Sequence, residues 1–231
     1  MKGSVEFLSR SQAIEFIFPK HYSGRIPQIS YAFGWVINGE LVAALTVGKP
    51  ASNQLCEGIC GKEYASSVYE LNRLCRKEGL EEQLSQFVGA CLRRLRVHNI
   101  ILVSYADTAM NHHGYIYQAC NFIYTGITNE RTDKYVEGNK HSRHYKGDRE
   151  ETRKKRSAKH RYVYWCTIDK KKKREWKYAL KYPEQEYPKG ENRNYVLGEY
   201  QDIVLVENGE TKHLQYKQPQ LPLEKLFEKN D

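Results

Sequence analysis

No apolar run in the sequence approaches the roughly 20 residues needed to cross a bilayer, which excludes a helical membrane span within it. The opening stretch MKGSVEFLSRSQAIEF mixes acids with apolar side chains and does not read as a secretory signal. A cytoplasmic location with no membrane partner is the expectation. Metal-ligand spacing is scarce too. Cys56 and Cys60 stand four apart, but no second Cys or His pair at zinc spacing accompanies them. A structural zinc is therefore not expected, and the six cysteines read as reduced thiols. There is no internal repeat. Acids are short in one place only: residues 141–190 hold 17 Lys or Arg against 7 Asp or Glu, while the rest of the chain holds 20 against 21.

The net charge of +9 is thus one basic segment on a neutral body of 231 residues. Such a segment is either a solvated tail or a contact for a polyanion. Interleaved aromatics (Tyr145, Tyr162, Tyr164, Trp165, Trp176, Tyr178) favour nucleic acid, since bases stack on rings while phosphates meet Lys and Arg.

Residues 10–17 read as a short helix ending before Pro19. Two apolar runs then flank Asn38-Gly39, a strong hairpin signal. SVYELNRLCR is a strand candidate, and Leu80, Leu84, Phe87, Val88, Cys91 and Leu95 fall on one helical face. NIILVSYAD reads as a buried strand, HHGYIYQACNF as a helix and FIYTGITN as a strand. A basic, weakly apolar stretch follows from 131 to 159, then the strand HRYVYWCTI, an extension beginning KKKKREW, a hairpin around Asn208-Gly209 and a tail. The fold class is α/β: a mixed sheet with a parallel crossover at its centre and antiparallel hairpins at its flanks. The domain reading is 1–169 for a catalytic domain that carries the basic insert 131–159, and 170–231 for a basic, β-rich C-terminal extension.

This element order resembles the GNAT superfamily of acyltransferases, in which a central sheet splays to admit a donor. HYSGRIP, YELNRLC, SYADTAMNHHGYIYQACNFIYTG and LKYPEQEYPK, in that order from about residue 15 to 190, together resemble the Mom family of bacteriophage DNA-modification proteins. The resemblance implies conversion of the exocyclic amine of adenine in DNA to a carbamoylmethyl derivative, which shields the DNA from host restriction. Its partner would be double-stranded DNA with the adenine extruded, and tRNA if the donor is borne on one.

One departure bears on the donor. GNAT proteins usually hold pyrophosphate with Arg/Gln-x-x-Gly-x-Gly/Ala between strand and helix. Here RKEGLE keeps Arg76 and Gly79 but puts Glu81 where a small residue belongs, flanked by Glu78 and Glu82. Either these carboxylates point outward or acetyl-coenzyme A is disfavoured. Product chemistry also counts against simple acyl transfer, which would leave an N-acetyl amide. A glycine-derived donor, such as an aminoacyl-tRNA, has the right atoms.

An enzyme acting on the adenine amine must expose the base, stack it and polarise a poor nucleophile. At the C-terminal end of a buried strand, where α/β sheets bind ligands, SYAD supplies Ser104 as orienter, Tyr105 as stacking or relay group and Asp107 as acceptor or base. The bland alternative is that Asp107 caps the next turn and Tyr105 is core. By GNAT topology, His21 and Tyr22 would face the same cavity as base contacts or proton carriers, with Arg25 clamping a phosphate or carboxamide. Glu70 and Asn72 are expected on one strand face and Arg73 on the other. These three, with Arg76, Gly79, His113, Gly114, Tyr115, Tyr117 and Gln118, are the expected substrate or donor contacts. His112 and His113 are adjacent rather than a helical turn apart, so no metal is predicted, although one held by His21, Asp107 and a histidine of this pair is conceivable. Lys154, Lys155, Arg156, Lys159, Lys171 and Lys172 are the expected phosphate contacts. Two other functions fit the same residues: an ordinary acyl-coenzyme A acyltransferase, or a nucleic-acid-binding protein without chemistry.

Overall fold

The computed structural model describes residues 3–80, 84–136, 152–191, 196 and 198–217. An unforeseen strand, β1 (Ser4–Phe7), leads into α1 (Arg10–Ile17). Ser9 and Gln12 form a reciprocal capping box there, which satisfies two orphan amides of the first turn. The Asn-Gly hairpin forms as its sequence requires: Asn38 and Gly39 both adopt positive φ, which matches the twist of the strands they join, β2 (Tyr31–Ile37) and β3 (Glu40–Gly48).

The stretch between β3 and β4 (Val68–Arg76), loose by sequence, contains α2 (Asn53–Cys60) and a 3-10 turn. Cys56 and Cys60 are one turn apart on α2 and both buried, so their spacing is a packing signal. Burial pushes both thiols upward, Cys60 to about 12, which keeps them protonated and inert. After α3 (Leu84–Leu95) come β5 (Ile100–Asp107), a short α4 (Tyr115–Ala119), β6 (Ile123–Ile127), β7 (Arg131–Lys134), β8 (Thr152–Arg156), β9 (Lys159–Cys166), α5 (Lys170–Ala179), β10 (Gln201–Glu207) and β11 (Glu210–Tyr216).

Seven strands form the main sheet in the order β1-β2-β3-β4-β5-β9-β6. The pair β4 and β5 is the parallel crossover expected at the centre. Sequence order does not reveal that β9 lies antiparallel between β5 and β6. The reason is burial: Tyr162 and Cys166 point to one side and Val163 and Trp165 to the other, so β9 needs a covered central position. One face packs against α3 through Phe87, Val88, Cys91, Leu92 and Leu95. The other is covered by α1 over Ala44 and Cys75, and by Cys56, Ile59 and Cys60 of α2 and Trp176 of α5 over Val68, Ile101 and Val163.

The second sheet has the order β11-β10-β8-β7. The basic insert and the C-terminal hairpin, 45 residues apart along the chain, therefore share hydrogen bonds: Leu205 pairs with Lys154 and Val206 with Arg153. The tail from 218 onward lies outside the described residues, as do most of the insert (137–151) and Tyr145 within it.

Candidate functional site

The sheet opens at its centre. β4 pairs with β3 from Glu70 to Arg76, but with β5 only over Val68, Tyr69 and Glu70, opposite Ile101, Leu102 and Val103. Beyond that rung the two strands part, and Ser104, fully buried, donates to the Leu71 carbonyl at 2.9 Å as the last link across the fork. Ser104 is thus a structural tie.

A one-residue bulge shapes the opening. Thr46 pairs with Arg73 and Val47 with Leu71, so Asn72 is the extra residue. The bulge reverses the alternation after it: Leu71 and Leu74 both pack on the α3 side, while Cys75 joins the α1 side. Glu70 and Arg73 consequently share a face and sense each other's charge, contrary to strict alternation. Asn72 is locked by Thr46 Oγ1 at 2.6 Å and by donation to the Gln28 carbonyl at 2.9 Å, so it is a brace.

On that face the strand ends carry polar groups in place of core. Glu70 and Arg73 come from β4, Tyr105 and Asp107 from β5, and Lys159 and Arg161 from β9, whose register sets Asp107 opposite Lys159 and Tyr105 opposite Arg161. Arg161 is held by Thr125 and lies over the Tyr182 ring at 3.3 Å. Burial raises the Tyr105 phenol, which therefore stays protonated.

The loop between α1 and β2 crosses this floor. Arg73 Nη2 donates to the Arg25 carbonyl at 3.1 Å, and Ser30 N donates to Val47 O at 2.8 Å. A Cβ on Gly48 would overlap the Gln28 carbonyl oxygen, so the loop lies flat on β3 only because residue 48 lacks one. Gly24, with φ of 55°, supplies the tight turn expected of it. The loop delivers His21 and Tyr22, stacked at 4.4 Å, to the fork. The Tyr22 hydroxyl donates to Asp107 Oδ2 at 3.5 Å, and its ring meets the edge of His112 at 6.0 Å. Burial, then the Asp107 charge, hold the Tyr22 phenol far above its ordinary value. From the far side Tyr117 of α4 reaches the same space, bonded to Ser104 and sensing Glu70.

Asp107 is the hub of the rim. It caps the turn Thr108–Met110 through Ala109 N, as the bland reading of the sequence has it, and also accepts from Ser157, Lys159 and Tyr22. Burial works against its charge, but Lys159 and these hydrogen bonds prevail and hold the carboxyl below the usual range. Lys159 is its counter-ion and not a phosphate contact on the open surface.

His21 is neutral. Ser23 N, which can only donate, points to Nδ1 at 3.1 Å, so the ring proton sits on Nε2. Burial, followed by the charges of Arg73, His112 and Lys159, keeps its pKa well below the ordinary 6.5. In the unfolded chain His21 takes up a proton near pH 6.5, whereas in the folded chain it does not. Stability is therefore complete above that pH and falls as the pH drops from about 6.5 toward the folded value. Melting curves between pH 7.5 and 5 should show this slope, and His21→Gln should flatten it.

The second sheet covers the loop with one face. Gln201 donates to the Tyr22 carbonyl at 2.7 Å. Arg156 meets Asp133 at 3.5 Å. Burial, then Arg156 and Arg25, bring Lys154 down to about 8, with Asp107 and Asp133 opposing. Arg25, likewise lowered by burial and by Arg156 and Arg73, belongs to the same cationic rim. Lys155 points to the other face and is exposed. Lys171 and Lys172, exposed on α5, lie beyond Cys166 at the opposite end of β9 from Lys159. The strand rise from Lys159 to Cys166 alone is about 23 Å, so these two lysines do not share the rim's site.

Several expected donor contacts serve the chain itself. Tyr115 accepts from Gly190 N and donates to its carbonyl, and Gln118 Nε2 bonds His113 O, Tyr162 OH and Pro188 O. A Cβ on Gly190 would strike His113, and one on Gly114 would strike the Tyr162 ring. The LKYPEQEYPK segment is thus a strap across the outer edge of β6, where Gln185 N donates to Tyr124 O and Tyr187 OH to Phe122 O, blunting an exposed sheet edge. Arg76 is exposed and donates to Leu80 O, and Gly79 has open space around it. Glu81 and Glu82 lie outside the described residues. Among the described residues no three His, Cys, Asp or Glu side chains are grouped to hold a metal, and no helix is long and apolar enough to cross a membrane. Arg161, Ser157 and Gln201 were not singled out by sequence, and His112 only as a conceivable metal ligand. Only the register of β9 and the placement of the second sheet bring them in.

The Mom protein family is matched over residues 3–189. No curated protein matches the chain by sequence. Among solved structures, a Bacillus subtilis acetyltransferase in complex with CoA is similar at TM-score 0.42 and 13% identity, over 70% of this chain and 97% of that one. An N-acetyltransferase from Staphylococcus aureus Mu50 is similar at TM-score 0.45 and 12% identity, over 72% and 100%.

Proposed function

Because the chain belongs to the Mom protein family, we propose that it is a DNA-modification enzyme that converts the exocyclic amine of adenine to a carbamoylmethyl derivative and so protects DNA from restriction. The observation that carries this reading is the convergence of loop, strand ends and second sheet on one opening. Aromatic donors (Tyr22 beside His21), a carboxylate hub (Asp107) and a cationic rim (Arg25, Lys154, Arg156) lie together where β4 and β5 part. A flipped purine needs a ring to stack on and fixed donors at its edge, and the flanking strand needs cations.

In this reading the extruded adenine lies against the His21–Tyr22 stack. The Nε2–H of neutral His21 donates to a ring nitrogen or to the carbonyl of the donor, and the Tyr22 phenol keeps its proton and hydrogen-bonds rather than ionises. Asp107 holds Tyr22 and Lys159 in place. Arg25, Lys154 and Arg156 take phosphates, and Arg73 anchors the loop from below. The donor is acetyl-coenzyme A or a glycine-derived group such as an aminoacyl-tRNA. Glu81 where a small residue belongs, flanked by Glu78 and Glu82, disfavours a diphosphate at this turn, which favours the second. Glycine contains the methylene, carbonyl and nitrogen of the product, so a glycyl adduct differs from it only by an isomerisation, whereas an acetyl group lacks the nitrogen.

Mass spectrometry of nucleosides from cells expressing the protein and fed labelled glycine or labelled acetate tests both parts. A carbamoylmethyl adenine carrying glycine label is the expected result. An N-acetyl species labelled only from acetate would make the protein an acyltransferase, and no new nucleoside would overturn the DNA-modification reading. DNA binding should weaken steeply with salt, and Arg156→Gln should lower the log–log slope by about 1, in proportion to one lost phosphate contact.

A further inference from the structure

We propose that Glu70, not Asp107, takes the proton from the adenine amine, an assignment that rests on the DNA-modification reading above. Both carboxylates stand on the same face of the sheet, but their surroundings differ. Asp107 already accepts from Ala109 N, Ser157, Lys159 and Tyr22. A carboxylate so satisfied is a poor proton acceptor, because its charge is stabilised before any substrate arrives. It positions the rim.

Glu70 stands opposite Val103 on the last rung that joins β4 to β5, so its half-buried side chain lies at the root of the fork. Arg73 on β4, Tyr105 on β5 and Lys159 on β9 stand on its face of the sheet, and its charge is also felt by Tyr117 on α4 and Cys56 on α2. Among the described residues its carboxylate accepts no hydrogen bond, which leaves both oxygens open to an incoming N–H. Burial raises its pKa, while Arg73 and Lys159 restrain the rise. The group is therefore more basic than a surface carboxylate. Tyr105, a protonated phenol, stands on the same face two residues beyond Val103.

In the step assigned here, the N6 lone pair forms a bond to the acyl carbon of a glycyl ester, and the ester C–O bond breaks with its electron pair going to the departing oxygen. The resulting N6-glycyl group has the same atoms as the carbamoylmethyl group and reaches it by a separate isomerisation that replaces the carbonyl carbon on N6 by the methylene. One N6 proton passes to a Glu70 oxygen, and Glu70 then gives it to the leaving group or to water. The positive charge of Arg73 and Lys159 beside the site steadies the carboxylate before transfer and favours proton release afterwards.

The test compares wild type with Glu70→Gln and Glu70→Asp by nucleoside mass spectrometry of cellular DNA, and by melting temperature and duplex-DNA binding of the purified proteins. Glu70→Gln should lower the yield of modified adenine at least about 100-fold, as expected for a lost general base, with melting and DNA binding unchanged. Glu70→Asp, whose carboxylate retreats by one methylene, should lie between. A Gln variant within threefold of wild type overturns the assignment, and so does one that fails to fold, which would make Glu70 structural. Undiminished yield from Glu70→Asp also counts against it. If wild type itself gives no modified adenine, the parent reading has failed and the assignment falls with it.

Discussion

Asp107→Asn should abolish modification and destabilise the fold together. The amide keeps the shape of the carboxylate but not its charge, so Lys159 is left with its ammonium partly buried and without its counter-ion. Removing one member of a buried pair costs about 3–5 kcal/mol, and the partial exposure of Lys159 reduces this to about 2. For a chain of this length that is a fall in melting temperature of roughly 4–8 °C. The acid limb gives a second check. Asp107 titrates lower in the folded chain than in the unfolded one. Its contribution is therefore complete above about pH 4 and is lost as the pH falls through the folded value. The Asn variant should lack that part of the acid-induced loss. Modification should drop at least about 100-fold, since Tyr22 and the turn Thr108–Met110 lose their common anchor. An Asn variant that modifies DNA normally would remove Asp107 from the site.

Gly48→Ala should separate activity from stability. The added methyl meets the backbone carbonyl of Gln28, which cannot rotate aside as a side-chain end would, and it also presses on the Asn72 amide at 3.2 Å. The loop must rise from β3, and His21 and Tyr22 rise with it. A displacement of about 1 Å in a positioning element costs on the order of 100-fold in rate, so modified adenine should fall by that order in the nucleoside assay. The fold should lose only a few degrees, because the core under Gly48 is untouched. Gly89→Ala is the control. Gly89 lies within α3, where Ala is the better helix former and the nearest atom is the end of Arg93 at 3.6 Å, so stability should hold or rise and activity should not change.

What could be read from the sequence is what depends on near neighbours. Ser9 and Gln12 cap α1 across three residues, Asn38-Gly39 sets a hairpin in two, and the apolar spacing of α3 repeats within a turn. Each of these has the same meaning wherever the chain later goes. The side of the sheet on which a charge emerges does not. One extra residue at Asn72 moves Arg73 to the face of Glu70, and nothing in YELNRL announces a bulge. Lys159 looks like any cation of a basic stretch until β9 pairs with β5 and puts it against Asp107. Tyr115 and Gln118 look like ligand contacts because they are polar and near a turn, but each bonds a backbone group of residues 188–190, some 70 positions later. His21, Tyr22 and Asp107 were expected to share a hollow by family resemblance, and their placement around one fork supports treating them as a unit.

The late position of β9 has a consequence for synthesis. When a ribosome has released residue 130, β5 is made but the neighbour that belongs along its full length is not. Its apolar edge stays bare until residue 166 emerges, and Tyr22 waits for Gln201. A nascent chain in that interval is a ready template for wrong pairing. The finished opening is among the last parts to assemble, so a prematurely terminated copy holds the loop and the carboxylates but no working cleft.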